Sequence, residues 1–222
     1  MATLKRLYTF DLNGAPVPMT PPIAPVAGRM LVVSAATRNI GNGPAGIAGW
    51  TIIAPGVFVT SGGYTQRELA CFWRIAQAGD TTWNVGASGT HFTYSEWADV
   101  GAFLAAVSIG GINQKPIPCG GPIVPAVKAL VIGMMACGYT NDGDTLSVAP
   151  DPGSIELDDK NGQTNSPGYW SAYKLAPPGA AASISGVGTT GSGIGVDQVG
   201  ITAAFSDVAG GAFAGEPGGG VW

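Results

Sequence analysis

The hydrophobic positions along this chain come in short runs, and their spacing is that of strands. In residues 69–75, Leu69, Cys71, Trp73 and Ile75 fall on one face of an extended chain, and Ala70, Phe72 and Arg74 on the other. The runs Met-Leu-Val-Val-Ser-Ala-Ala at 30–36 and Leu-Val-Ile-Gly-Met-Met-Ala at 130–136 are apolar throughout. That pattern predicts strands near the middle of packed sheets, covered on both faces. Gly-Trp-Thr-Ile at 49–52 and Gly-Ser-Ile-Glu-Leu at 153–157 each begin a further strand. Glycine and proline, 36 and 17 of the 222 residues, punctuate these runs as turns. Helices are not expected, because four Glu, five Lys and five Arg are too few to build exposed helical faces.

The pattern repeats when the chain is shifted by about 100 residues. Arg-Met-Leu-Val-Val-Ser-Ala at 29–35 matches Lys-Ala-Leu-Val-Ile-Gly-Met at 128–134, and Cys-Phe-Trp-Arg-Ile-Ala-Gln-Ala-Gly at 71–79 matches Ser-Ala-Tyr-Lys-Leu-Ala-Pro-Pro-Gly at 171–179. Asn-Val-Gly-Ala-Ser-Gly at 84–89 is set against Gly-Val-Gly-Thr-Thr-Gly at 186–191, and the strand at 100–108 against 199–206. An aromatic residue and a base hold their places in both copies, Trp73 with Arg74 and Tyr173 with Lys174. The expectation is therefore an all-β, jelly-roll-like β-sandwich built from two similar halves, 28–113 and 127–207, with four or five strands in each. One half alone would leave a sheet face bare, whereas packing the two face to face buries both. Residues 1–27, with five prolines between 16 and 25, predict an extended arm, and the glycine-rich 208–222 a flexible tail.

Charge narrows the partners. Charged residues are 11% of the chain, against about 25% in an average domain, and the net charge is −4. Ten scattered basic residues form no stripe that would neutralise phosphates, so nucleic acid is not an expected partner. The longest charge-free stretches are too short, or too rich in Gly, Pro, Ser and Thr, for membrane insertion. The first residues lack the apolar core of a secretion signal. Cys71, Cys119 and Cys137 are an odd set without close spacing, which fits reduced, buried thiols.

Candidate chemistry is sparse. Gly-Val-Gly-Thr-Thr-Gly at 186–191 spells a dinucleotide-type motif, but the Ser-Gly-Ile-Gly that follows cannot sustain the helix such a site needs. His91 is the sole histidine, no nucleophile-elbow pattern occurs, and no cluster of His and Cys suggests a metal site. Asn141-Asp-Gly-Asp144 and Asp158-Asp159 read as turns, and no cofactor is expected. Glu68, Glu96 and Asp99 could supply a carboxylate pair for glycan cleavage, but nothing places any two at a working separation. The most distinctive segment is His91-Phe92-Thr93-Tyr94-Ser95-Glu96-Trp97, read as a loop filling a gap in the second copy. Its aromatics and polar groups suit the stacked face of a sugar ring, a protein contact, or a cap on the sandwich core. Tyr64, after Gly62 and Gly63, forms a weaker tip of the same kind.

Four blocks together carry a resemblance: Gly-Trp-Thr at 49–51, Phe-Trp-Arg-Ile-Ala-Gln-Ala-Gly-Asp at 72–80, Trp83 to Gly89, and Val-Gly-Ala-Phe-Leu-Ala-Ala-Val-Ser at 100–108. They resemble a recurrent β-sandwich module of tailed-bacteriophage virion structural proteins, over about residues 28–207. The resemblance implies a non-enzymatic surface module of the tail or tail fibre, made in the host cytoplasm and incorporated into the virion. Its partners would be other virion proteins, met through the N-terminal arm, and further copies in a symmetric homo-oligomer such as a trimer. The alternatives are a capsid decoration protein, or a carbohydrate-binding host-adhesion module acting through Phe92, Tyr94 and Trp97. The module carries no catalytic residues to transfer.

Overall fold

The computed structural model of the chain describes residues 1–12, 18–37, 46–54, 59–61, 65–84, 90–114, 117–138, 147–160, 168–189 and 196–208. The strands of the first half are β1 (Thr3–Leu12), β2 (Pro18–Met19), β3 (Met30–Thr37), β4 (Thr51–Ala54), β5 (Val59–Ser61), β6 (Thr65–Ile75), β7 (Trp83–Asn84) and β8 (Thr90–Ala98). The second half follows with β9 (Val100–Gln114), β10 (Ile117–Pro118), β11 (Ala129–Gly138), β12 (Ser147–Pro150), β13 (Ile155–Lys160), β14 (Gly168–Ala176), β15 (Ser185–Thr189) and β16 (Val196–Asp207). Among the described residues there is no helix.

Two large antiparallel sheets form. One has the order β1-β8-β3-β6-β4, with β5 added to β6, and the other the order β9-β16-β11-β14-β13. Strand for strand these are the same arrangement, so β1, β3, β4, β6 and β8 correspond to β9, β11, β13, β14 and β16. Register confirms it: Met30 lies opposite Ile75 and Trp97, and Leu130 opposite Leu175 and Phe205. Even a bulge recurs, at Ile53 and at Leu157, each turned into the space between the sheets. Gly79 and Gly179 close the matching turns after β6 and β14 with φ of +87° and +74°, a conformation that glycine adopts without strain.

The sandwich of two similar halves is as expected. Each large sheet is drawn from one contiguous half, and within each half the chain alternates between the large sheet and a small outer one, β2-β7 in the first half and β10-β15-β12 in the second. Two details differ. The strand at 199–206 is the counterpart of 91–98, and not of 100–108, which pairs with it directly as neighbour β9. The repeat also begins at the first strand: residues 3–12 are the edge strand β1, paired along β8, and do not form a free arm. Residues 18–29 continue over the outer face of the sheet. The proline spacing around this segment recurs in the second half, Pro16, Pro18, Pro22 and Pro25 matching Pro116, Pro118, Pro122 and Pro125 in the sequence. Within residues 18–29, Pro18, Pro22 and Pro25 favour an extended strap, because proline fixes φ and brings no donor that the strap would have to satisfy. Of the expected tail, residues 209–222 lie outside the described residues.

Three layers of apolar contact follow. Between the sheets, Met30, Val32, Leu69, Cys71 and Trp97 meet Leu130, Ile132, Tyr169, Ile201 and Phe205. On the outer face of the first sheet, Leu31, Val33, Phe72, Phe92 and Tyr94 lie under Met19, Ile47 and Trp83. On that of the second, Val131, Met135 and Trp170 lie under Cys119, Ile123 and Ile184. This double covering explains why the central strands β3 and β11 are apolar at nearly every position. Each fully buried Leu, Ile or Phe contributes about 1.5–3 kcal/mol.

Candidate functional site

The segment from His91 to Trp97 is the strand β8, held between β1 and β3, and not a loop. All seven of its side chains are buried. Alternation sends His91, Thr93, Ser95 and Trp97 toward the second sheet, and Phe92, Tyr94 and Glu96 toward the strap. The gap that made it look like a loop came from matching 100–108 with 199–206. With the correct partner, Trp97 occupies the place of Phe205. Of the other residues singled out in the sequence, Tyr64 and the run 141–144 lie outside the described residues. Gly186 to Thr189 belong to strand β15, Glu68 lies on β6 opposite Thr37, and Asp99 lies 3.7 Å from the N-terminal amine.

On the inner face, the His91 ring joins the two halves. Its Nδ1 lies 2.9 Å from Asp11 Oδ1 on β1, and its Nε2 lies 2.7 Å from Asp158 Oδ2 on β13 of the opposite sheet. Thr93 donates to the same Asp158 oxygen at 2.5 Å, and Lys160 pairs with Asp11. The ring packs 5.2 Å from that of Tyr169, whose hydroxyl meets Ser34. Partial burial would raise the Asp11 pKa, but hydrogen bonds from Lys160 and His91 outweigh it and hold the carboxyl below its usual range. Burial, and then the nearby Asp158, push the Tyr169 phenol far up. Beside this network lies a cavity of about 10 Å³ lined by Ser34, Thr93, Ser95, Tyr169 and Ser171. That is the space of about one water molecule, against the roughly 300–1,000 Å³ of a small-molecule pocket.

On the outer face, Glu96 clasps the strap. Its side chain is fully buried and receives Arg29 at 2.8 Å, Arg6 at 3.0 Å and the backbone N–H of Val26 at 3.2 Å. Beside it, Tyr94 stacks on Tyr8 at 5.8 Å and on Trp83 at 6.2 Å. Burial, and then the Glu96 charge, push its phenol far up. Arg74 lies 5.9 Å from the ring centres of both Trp50 and Trp83, and pairs with Asp80 at 3.0 Å. In the second half Lys174, the counterpart of Arg74, pairs with Asp151 in the turn after β12 at 3.3 Å.

Chemically, this arrangement binds the protein to itself. Each ring nitrogen of His91 has a carboxylate partner, and both oxygens of Glu96 are paired. The fully buried Cys71 thiol is pushed far up by burial, the opposite of what a reactive thiol requires. Among the described residues no group of His, Cys, Asp and Glu is placed to hold a metal ion, and no helix is long and apolar enough to cross a membrane. Sequence reasoning missed Arg6 and Asp11, because it assigned their segment to an arm, and it read Arg29 only as the start of a repeated strand block. It also took Asp158 for a turn residue. The proline spacing shared by 16–25 and 116–125 is the signal that could have recovered the first two. Comparison with protein-family models, curated proteins and solved structures gives no match.

Proposed function

We propose that this chain is a non-enzymatic structural protein of a tailed-phage virion, a surface β-sandwich module of the tail or tail fibre. Capsid decoration is the neighbouring role. The four blocks that resemble such modules support this, and one geometric observation carries it. The residues best suited to chemistry or to ligand contact, His91, Tyr94, Glu96 and Trp97, are buried and spent on joining strap to sheet and sheet to sheet. A chain that commits its rare charged and aromatic groups to internal fastening is built to persist as a module. The same observation removes the carrier of the host-glycan reading, since Phe92, Tyr94 and Trp97 present no surface for a sugar to stack on. Docking through residues 1–27 is likewise set aside, because β1 is a strand of the sandwich. Its partners are then other virion proteins and further copies of the chain, met across its surface. Mass spectrometry of purified particles dissected into heads and tails tests this. The protein should appear at a fixed stoichiometry in one fraction, and its absence from particles would overturn the proposal.

A further inference from the structure

The four edge strands of the two large sheets are β1, β4, β9 and β13. Exposed edges invite pairing with another chain, and charges or shortness normally protect them. Three edges here are protected. β1 carries Lys5, Arg6 and Asp11, β13 carries Glu156, Asp158, Asp159 and Lys160, and β4 is four residues long. β9 is different: its 15 residues, Val-Gly-Ala-Phe-Leu-Ala-Ala-Val-Ser-Ile-Gly-Gly-Ile-Asn-Gln, contain neither charge nor proline. Among the described residues it pairs only with β16, and Leu104 and Val107 along it are 39% and 38% exposed. The contrast with β1 is telling, because the two strands occupy the same position in the two halves and only one has kept its charges.

We propose that β9 is a self-association edge, pairing antiparallel with β9 of a second copy so that two five-stranded sheets continue into one. Antiparallel self-pairing is isologous, each strand meeting its own sequence reversed about a twofold axis. Such a strand is helped by having no charge, since no like charges are brought opposite one another. β1 would set its Lys5 and Arg6 against those of its copy. The competing occupant is the segment 209–222, which leaves the fold where the Val208 N–H donates to the Asp99 carbonyl at 3.0 Å, beside the start of β9. Six glycines and Pro217 make it a poor strand, which favours the second copy. This proposal does not depend on the virion reading.

The test is sedimentation velocity of the full chain over a wide concentration range. The expected result is a reversible dimer. The double variant Leu104→Lys, Val107→Lys should weaken it at least about tenfold, while Thr9→Lys on β1 leaves it intact. Monomer at every concentration, or a dimer indifferent to the β9 lysines, overturns the proposal. So does a dimer that forms only after residues 209–222 are deleted, which would make the tail the natural occupant. Should the lysine variant fold poorly, amide exchange of the wild-type chain decides instead. β9 amides should gain protection as concentration rises, and unchanged exchange there is the adverse outcome.

Discussion

Glu96 and Ala204 occupy the same position in the two halves, and their neighbours change with them. Glu96 is paired by Arg6 and Arg29, whereas Ala204 sits with Ala105 and Ala129, the residues at the corresponding sites. One chain thus holds both solutions to fastening a strap, a buried ion cluster and a small apolar patch. Removing one member of a buried cluster strands the others, at a cost of about 3–5 kcal/mol. Glu96→Ala should destabilise by an amount near the low end of that range, since both arginines keep some exposure. The triple change Arg6→Ala, Arg29→Ala, Glu96→Ala should cost less than the sum of its parts, measured by urea unfolding. Additive losses would mean that the three do not act as a cluster.

Trp97 gives a second test of what β8 is for. It is fully buried, donates through Nε1 to Ser95 Oγ at 2.8 Å, and meets the Tyr173 ring edge-on at 4.9 Å. Trp97→Ala should destabilise by about 3–5 kcal/mol, visible as a lower urea midpoint. Trp97→Phe, which copies the Phe205 of the other half, should lose clearly less. A Trp97→Ala protein of wild-type stability would return the residue to the surface and reopen the question of ligand contact.

The tandem architecture is legible in the sequence because packing repeats leave a periodic trace: Leu69, Cys71 and Trp73 on one face, and the matching Ser171 and Tyr173 a hundred residues on. What β8 does is not legible there. Both faces of that strand are buried, so its alternation is not apolar against polar. It sets His, Thr, Ser and Trp against Phe, Tyr and Glu, and the polar members become explicable only with their partners in place. Those partners are remote in sequence, Asp158 67 residues from His91 and Arg29 67 residues from Glu96. The prolines of 16–25 misled for a related reason. Proline composition suggests an extended segment, and the strap is extended, but only its repetition at 116–125 shows that it lies on a sheet.

The second half lets its strap approach more closely, and glycine makes that possible. A Cβ at Gly200 would collide with the Cys119 carbonyl, and one at Gly133 with the Ile184 side chain. The first half has Phe92 and Val33 at those sites, with a strap held farther out by aromatics. Gly200→Ala should therefore displace the strap backbone, costing at least about 3 kcal/mol or preventing folding. Gly79→Ala meets no atom within 4 Å and is disfavoured only by its φ of +87°, so about 1–2 kcal/mol is expected. Thermal melts of the two variants side by side would check the order. Equal effects would deny the close approach.

Acid should loosen the seam where the chain begins and the second half ends. Asp207 is buried there against Lys128 at 3.0 Å, and accepts from the backbone N–H of Ala2 at 2.7 Å. Burial alone would raise its pKa, but these hydrogen bonds outweigh it and hold the carboxyl below the usual range, as Lys160 and His91 do for Asp11. With folded pKa values depressed, both groups stabilise fully above the unfolded value of about 3.9. That contribution is lost as pH falls through the lower, folded values. Melting temperature should thus hold steady from neutral pH to about 5 and fall below about 4. Asp207→Asn should melt lower than wild type at neutral pH and show a shallower acid decline, the two curves converging at low pH. Parallel curves across the whole range would show that this carboxylate is not part of the acid response.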